Sequence, residues 1–211
     1  LESDAGLVLE LADGSQRQLQ AAERHLSDLP AMFWLQLLFG AGGMLTGALV
    51  MAARPLDRAT QLYFLTGLGF LVFSPAAAVY STREVFLDGT LFRFLSQANH
   101  FGALLFTASL TSLVWSYPLR LGRLPVVSLC FVAAIAAFAA DHWQLSADNT
   151  LSPTTTLLIF MLSFVFAGMQ WWQTRNAPAE RAALRWFLLS IYLATGLFAG
   201  TILVPTALGM P

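Results

Sequence analysis

The chain is 211 residues long, 57% hydrophobic and only 11% charged, with a mean hydropathy of +0.65 and a net charge of −1. Soluble domains average about 25% charged residues, so a soluble globule is excluded, as are a disordered or collagen-like chain and, with one cysteine, a disulfide scaffold. All 11 basic residues are arginine and nearly balance the 12 acidic ones, which leaves no electrostatic footprint for nucleic acid.

Residues 1–29 read as β structure. Leu7, Leu9 and Leu11 alternate with Val8, Glu10 and Ala12, Asp13-Gly14 supplies a turn, and Ser15 to Gln20 resumes the alternation, so a β-hairpin is expected. A lone hairpin is marginal in water, and no basic n-region or cleavage site precedes it, so it is not read as a signal peptide. The expectation is the end of a small extracytoplasmic domain, with the chain starting partway through it. Ser27 or Asp28 is expected to cap a helix beginning near Pro30.

Residues 30–211 read as an all-α integral membrane bundle. Crossing about 30 Å of hydrocarbon takes about 20 apolar residues at a rise of about 1.5 Å each. Six segments meet that need: Ala31 to Ala53, Thr60 to Tyr80, Phe94 to Tyr117, Leu124 to Ala140, Leu151 to Gln173 and Ala183 to Val204. Only helices satisfy their own backbone groups over runs this long and unalternating.

In the first span Gly43 and Gly47, and in the last Gly196 and Gly200, form small-xxx-small faces that serve either tight packing within the chain or a homodimer face. Ser74-Pro75 predicts a kink in the second span. The following loop carries Arg83, Glu84, Asp88 and Arg93, either as solvated charges or, for Arg83 and Glu84, as a gate over the bundle.

The third span is the most polar, and its polarity is ordered. Arg93, Gln97, His100, Leu104, Thr107 and Thr111 follow 4-3-4-3-4 spacing and share one helix stripe, with Asn99 beside it. Arg93, Gln97, Asn99 and His100 are the candidate ligand contacts of an outward-opening pocket, or else part of a hydrogen-bonded packing seam. His25 and His142 are placed at or outside the outer boundary, so His100 lacks partners for haem or metal and no metal site is assigned. Cys130 reads as a small buried hydrophobe.

Arginine counting orients the bundle, because cytoplasmic loops hold the positive excess. The first, third and fifth loops hold Arg54, Arg58, Arg120, Arg123, Arg175, Arg181 and Arg185, while the fourth holds Asp141 and Asp148 and no arginine. Both ends of the chain are therefore expected outside the cytoplasm. Trp34, Tyr80 and Trp143 fit the outer aromatic belt, and Tyr63, Trp115, Tyr117, Trp171, Trp172 and Trp186 the inner one.

Three stretches carry a family resemblance: the Asp13-Gly14 hairpin leading through Leu29-Pro30 to a helix ending Ala53-Arg54-Pro55; the outer loop Tyr80 to Glu84; and the last inner loop, Pro178 to Ser190, with Glu180, Arg181, Leu184, Arg185 and Trp186 in an E/D-R-x-x-L-R/K-W phrase. In these the chain resembles the membrane input region of ComP-type sensor histidine kinases, bacterial two-component proteins of quorum-sensing type. The resemblance implies a multi-pass domain of the bacterial inner membrane, working as a homodimer, that receives a small amphipathic or peptide signal. It further implies a seventh helix and a cytoplasmic kinase using ATP and Mg and passing phosphate to a response regulator. Glu23-Arg24-His25-Leu26-Ser27-Asp28 is similar to a phosphoacceptor box, but it precedes the first span, on the side without ATP, and reads as a polar lead-in. These 211 residues contain no glycine-rich ATP-lid motif, so no cofactor and no catalytic residue is assigned within them.

A small-molecule transporter or channel and a membrane-embedded enzyme are the competing classes. Transporters show paired broken helices with midplane charges, whereas Ser74-Pro75 and Gly67-Leu-Gly69 break one span without a counterpart. An enzyme needs converging His, Asp, Glu or Ser, which only His100 with Gln97 and Asn99 approaches.

Overall fold

The structure, a computed structural model, describes residues 7–10, 15–19, 26–83, 88–145 and 150–198. Strands β1 (Leu7–Glu10) and β2 (Gln16–Leu19) pair antiparallel, Leu7 opposite Leu19 and Glu10 opposite Gln16. The Asp13-Gly14 turn expected between them lies outside the described residues.

Among the described residues six α-helices follow: α1 (Ala31–Ala53), α2 (Arg58–Arg83), α3 (Gly89–Ser116), α4 (Val126–His142), α5 (Leu151–Gln173) and α6 (Pro178–Phe198). Each of the six expected segments falls mainly in one of them, with Tyr117 just past α3, Leu124 and Pro125 just before α4, and the last segment described as far as Phe198. Among the described residues, three helices are long and apolar enough to cross a membrane: Ala31–Ala53, Arg58–Val79 and Leu151–Asn176, with mean hydropathies of 1.6, 1.8 and 1.7. Helix α4, at 17 residues, is apolar but spans only about 25 Å. Helix α3 is longest, 28 residues, about 42 Å, and its polar stripe dilutes its hydropathy.

Two boundary expectations change. Ser27 and Asp28 do not cap α1, because they sit in a 3-10 turn over Leu26–Asp28 and bond each other at 3.3 Å. Pro30 occupies the cap position with extended backbone, and its carbonyl accepts from Phe33 at 2.9 Å. Asp88 is not a loop charge either. Its carboxylate accepts from the Thr90 and Leu91 amides at 3.0 and 3.4 Å, so α3 begins a full turn before Phe94 and carries Arg93 within it.

Helix α3 is the centre of the assembly, packing on α2, α4 and α5, while α1 packs on α2 and α6 touches α5 only lightly. Every residue from Thr107 to Trp115 is buried, so this half of α3 is enclosed on all sides. Glycines set the spacing of the first three helices. A Cβ on Gly67 would strike the Gly43 carbonyl of α1, and one on Gly69 would lie 2.8 Å from the Gly102 carbonyl of α3. The Phe70, Phe73 and Phe106 rings fill the α2–α3 interface beside these contacts, with centroids 4.9 to 5.7 Å apart. Helix α2 continues through Pro75, and the buried Ser74 hydroxyl donates to the Gln36 carbonyl of α1 at 2.8 Å.

On the far side of α3, Thr111 donates to the Ile159 carbonyl of α5 at 2.8 Å. Gln170, fully buried on α5, donates through Nε2 to the carbonyls of Val114 and Leu119. The Val114 carbonyl is one that the end of α3 leaves without a helical partner. The 54–57, 117–125 and 174–177 connections lie at one end of the molecule, since Gln170 reaches Leu119, the Tyr117 ring meets Phe187 at 6.1 Å, and one cleft joins Arg54, Asp57, Tyr117 and Phe187. All seven arginines of these connections and their flanks therefore share one end.

Candidate functional site

The opposite end holds a polar cluster built from three helices. Helix α3 contributes Gln97, exposed, and His100, half-buried; α4 ends in Asp141 and His142; α5 starts at Leu151 and Ser152. Gln97 Nε2 donates to His142 Nδ1 at 3.1 Å, which holds that ring nitrogen as an acceptor. The His142 ring stacks on Phe138, one turn back on α4, at 6.1 Å and 20°, and Phe138 meets Phe101 of α3 edge-on at 5.5 Å. Asp141 turns the other way. Its two carboxylate oxygens accept from the Leu151 amide at 3.3 Å and the Ser152 amide at 2.6 Å, so the last turn of α4 caps α5.

Capping of this kind is favourable because the first amides of a helix have no partner within it and its N-terminus carries partial positive charge. Thr150, the residue at the cap position, makes no side-chain cap of its own. Asp141 also lies within electrostatic reach of His100. The Ser152 hydroxyl is buried and without a hydrogen-bond partner among the described residues. The cluster offers donors, acceptors and one carboxylate between three helix ends.

Of the residues singled out from sequence, the structure brings Gln97 and His100 into this cluster. Arg93 is exposed one turn further along α3, and Asn99 is half-buried and hydrogen-bonded or otherwise engaged. Glu84 and the Arg83 side chain lie outside the described residues, as does Gly200. Gly43 and Gly47 pack within the chain: a Cβ on Gly47 would lie 3.0 Å from the Phe64 Cα of α2, and one on Gly43 would meet the Phe70 ring at 3.3 Å. Among the described residues, a Cβ on Gly196 would meet nothing within 4 Å. Sequence reasoning placed Asp141 and His142 at a boundary but did not pair them with α3 and α5. A carboxylate ten residues before Leu151, across a short loop from an uncapped helix start, was the available signal.

At the arginine end the E/D-R-x-x-L-R/K-W residues have distinct roles. Leu184 is fully buried, and the Arg181 guanidinium lies 4.3 Å above the Trp171 ring, beside Arg175 at 4.8 Å from Trp172. Arg185 and Trp186 are exposed, and Glu180 is half-buried in the first turn of α6. Among the described residues no three His, Cys, Asp or Glu side chains are grouped as a metal ion would require. Compared with known protein families, with curated proteins and with solved structures, the chain matches none.

Proposed function

We propose that the chain is the signal-sensing membrane domain of a bacterial sensor histidine kinase, taking an extracytoplasmic or membrane-borne signal and passing it to a cytoplasmic kinase module. On this reading the six helices form a bundle in the inner membrane with both ends outside, and the paired strands belong to an extracytoplasmic segment. One observation carries the reading. At the end opposite the arginines, Asp141 fixes the start of α5 while its neighbour His142 is held to Gln97 of α3, so adjacent residues of α4 tie down two different helices.

A ligand that competes for the Gln97 amide or the Asp141 carboxylate changes which ends are tied. Helix α5 then conveys the change, because its other end is fastened to α3 through Gln170 and stacks with the start of α6 through Trp171 and Arg181. The two ends of α5 supply the differential contacts that a two-state transmission requires.

The test uses cells carrying the complete gene product and a response-regulator reporter, with medium conditioned by dense culture as the probe. Gln97→Ala, His142→Ala and Asp141→Ala are expected to abolish induction at unchanged membrane abundance. Full induction in all three variants, or a gene product that drives no regulator at all, contradicts the assignment.

A further inference from the structure

At the arginine end, a cleft of about 510 Å³ opens between the start of α2, the end of α3 and the start of α4. Arg58 and Arg120 stand at it from connections 62 residues apart in the chain, and Leu62, Trp115, Leu124 and Val127 line its walls. Its size falls within the range of about 300 to 1,000 Å³ typical of ligand sites. The charge at the cleft is unbalanced. Among the described lining residues the one carboxylate, Asp57, accepts the Ala59 amide at 2.9 Å in capping α2, which leaves two guanidiniums against a single negative charge. Among the described residues neither guanidinium makes an ion pair. A third arginine, Arg54, lines a second cleft of about 410 Å³ on the other flank of the same helix start.

We propose that the cleft between Arg58 and Arg120 seats an anionic phospholipid, its phosphate between the two guanidiniums and its upper acyl chain along Leu62, Leu65 and Val127. Two features select this occupant. Guanidinium forks match phosphate oxygens bidentately, and a wall that continues along α2 as Leu62 and Leu65 offers a soluble anion nothing to bury. The Trp115 indole, buried at the base of the cleft, fits the depth where headgroup meets hydrocarbon. Sidedness alone asks only for arginines somewhere in these loops; it does not ask that two of them converge on one apolar-walled cleft. The proposal shares with the functional reading only that the chain sits in a membrane. It stands or falls independently of sensing.

The test is native mass spectrometry of the full chain released from vesicles of equal phosphatidylglycerol and phosphatidylcholine. Wild type is expected to retain phosphatidylglycerol selectively. Arg58→Gln with Arg120→Gln is expected to lower that retention at least about tenfold, because both bidentate phosphate-binding forks are removed from the cleft. Arg123→Gln with Arg185→Gln removes the same charge away from the cleft and is expected to leave retention unchanged. Ser128, exposed on α4, also lines the cleft; Ser128→Trp blocks it with every charge in place and is expected to lower retention, which decides the matter if the first double variant fails to fold. Equal loss in both arginine pairs, or wild-type retention in Ser128→Trp, overturns the proposal.

Discussion

The Asp141 carboxylate of α4 accepts the Ser152 amide of α5 at 2.6 Å, so one helix begins on the last turn of another. An N-terminal cap of this kind contributes about 1 kcal/mol. Asp141→Ala is expected to lower the thermal unfolding midpoint of the purified chain, and Asp141→Asn to lower it less, since one oxygen still accepts. An unchanged midpoint in Asp141→Ala would mean that the contact adds nothing to the fold.

Gln97 and His142 form the second tie. Interhelical hydrogen bonds in membranes average about 0.6 kcal/mol, and that is the coupling energy expected from a double-mutant cycle of Gln97→Ala and His142→Ala read by denaturation in mild detergent. Strict additivity would show that the two side chains act separately.

Gly69 and Gly196 make opposite predictions. A methyl on Gly69 would be driven into backbone atoms of α3, and overpacking of this kind costs about 1 to 3 kcal/mol. A methyl on Gly196 meets no atom of the described residues within 4 Å. Gly69→Ala is expected to fall in detergent-solubilised yield and melting temperature while Gly196→Ala matches wild type. Equal behaviour would show that the α2–α3 approach is wider than described.

Gln170→Leu keeps the volume of the side chain but removes the donors to Val114 and Leu119, leaving the buried Val114 carbonyl unpaired at a cost of about 1 to 3 kcal/mol. The 117–125 connection should loosen first. Trypsin is expected to cut at Arg120 and Arg123 faster in this variant than in wild type. Equal cleavage rates would place the stability of that connection elsewhere.

The positions of all six helices were legible in the sequence, because apolar runs of this length permit little else. Their lengths were less so. Asp88 extends α3 by a turn, and that follows from a local cap competing with the look of a charged loop. The small-residue pairs announced close packing, but not its partner. Gly43 and Gly47 meet α2 because Gly67 and the Phe64 backbone leave room there, a fact that lives in two helices at once. Gln97 and His100 stood out as polar residues in an apolar span. Their partners did not, since Asp141 and His142 read as ordinary boundary residues until the chain folds back from α4 to α5. Gln170 gave no signal at all, because a glutamine near a helix end is unremarkable until two carbonyls arrive beside it.

The account depends on the polar cluster facing outward and the arginine end inward, which cysteine labelling with a membrane-impermeant maleimide tests directly. Cys130 is the single native cysteine and is buried, so Cys130→Ser gives a clean background. In intact cells Gln144→Cys should label at once and Leu56→Cys only after permeabilisation. Labelling of Leu56→Cys in intact cells with Gln144→Cys protected would invert the molecule and contradict the sensing assignment.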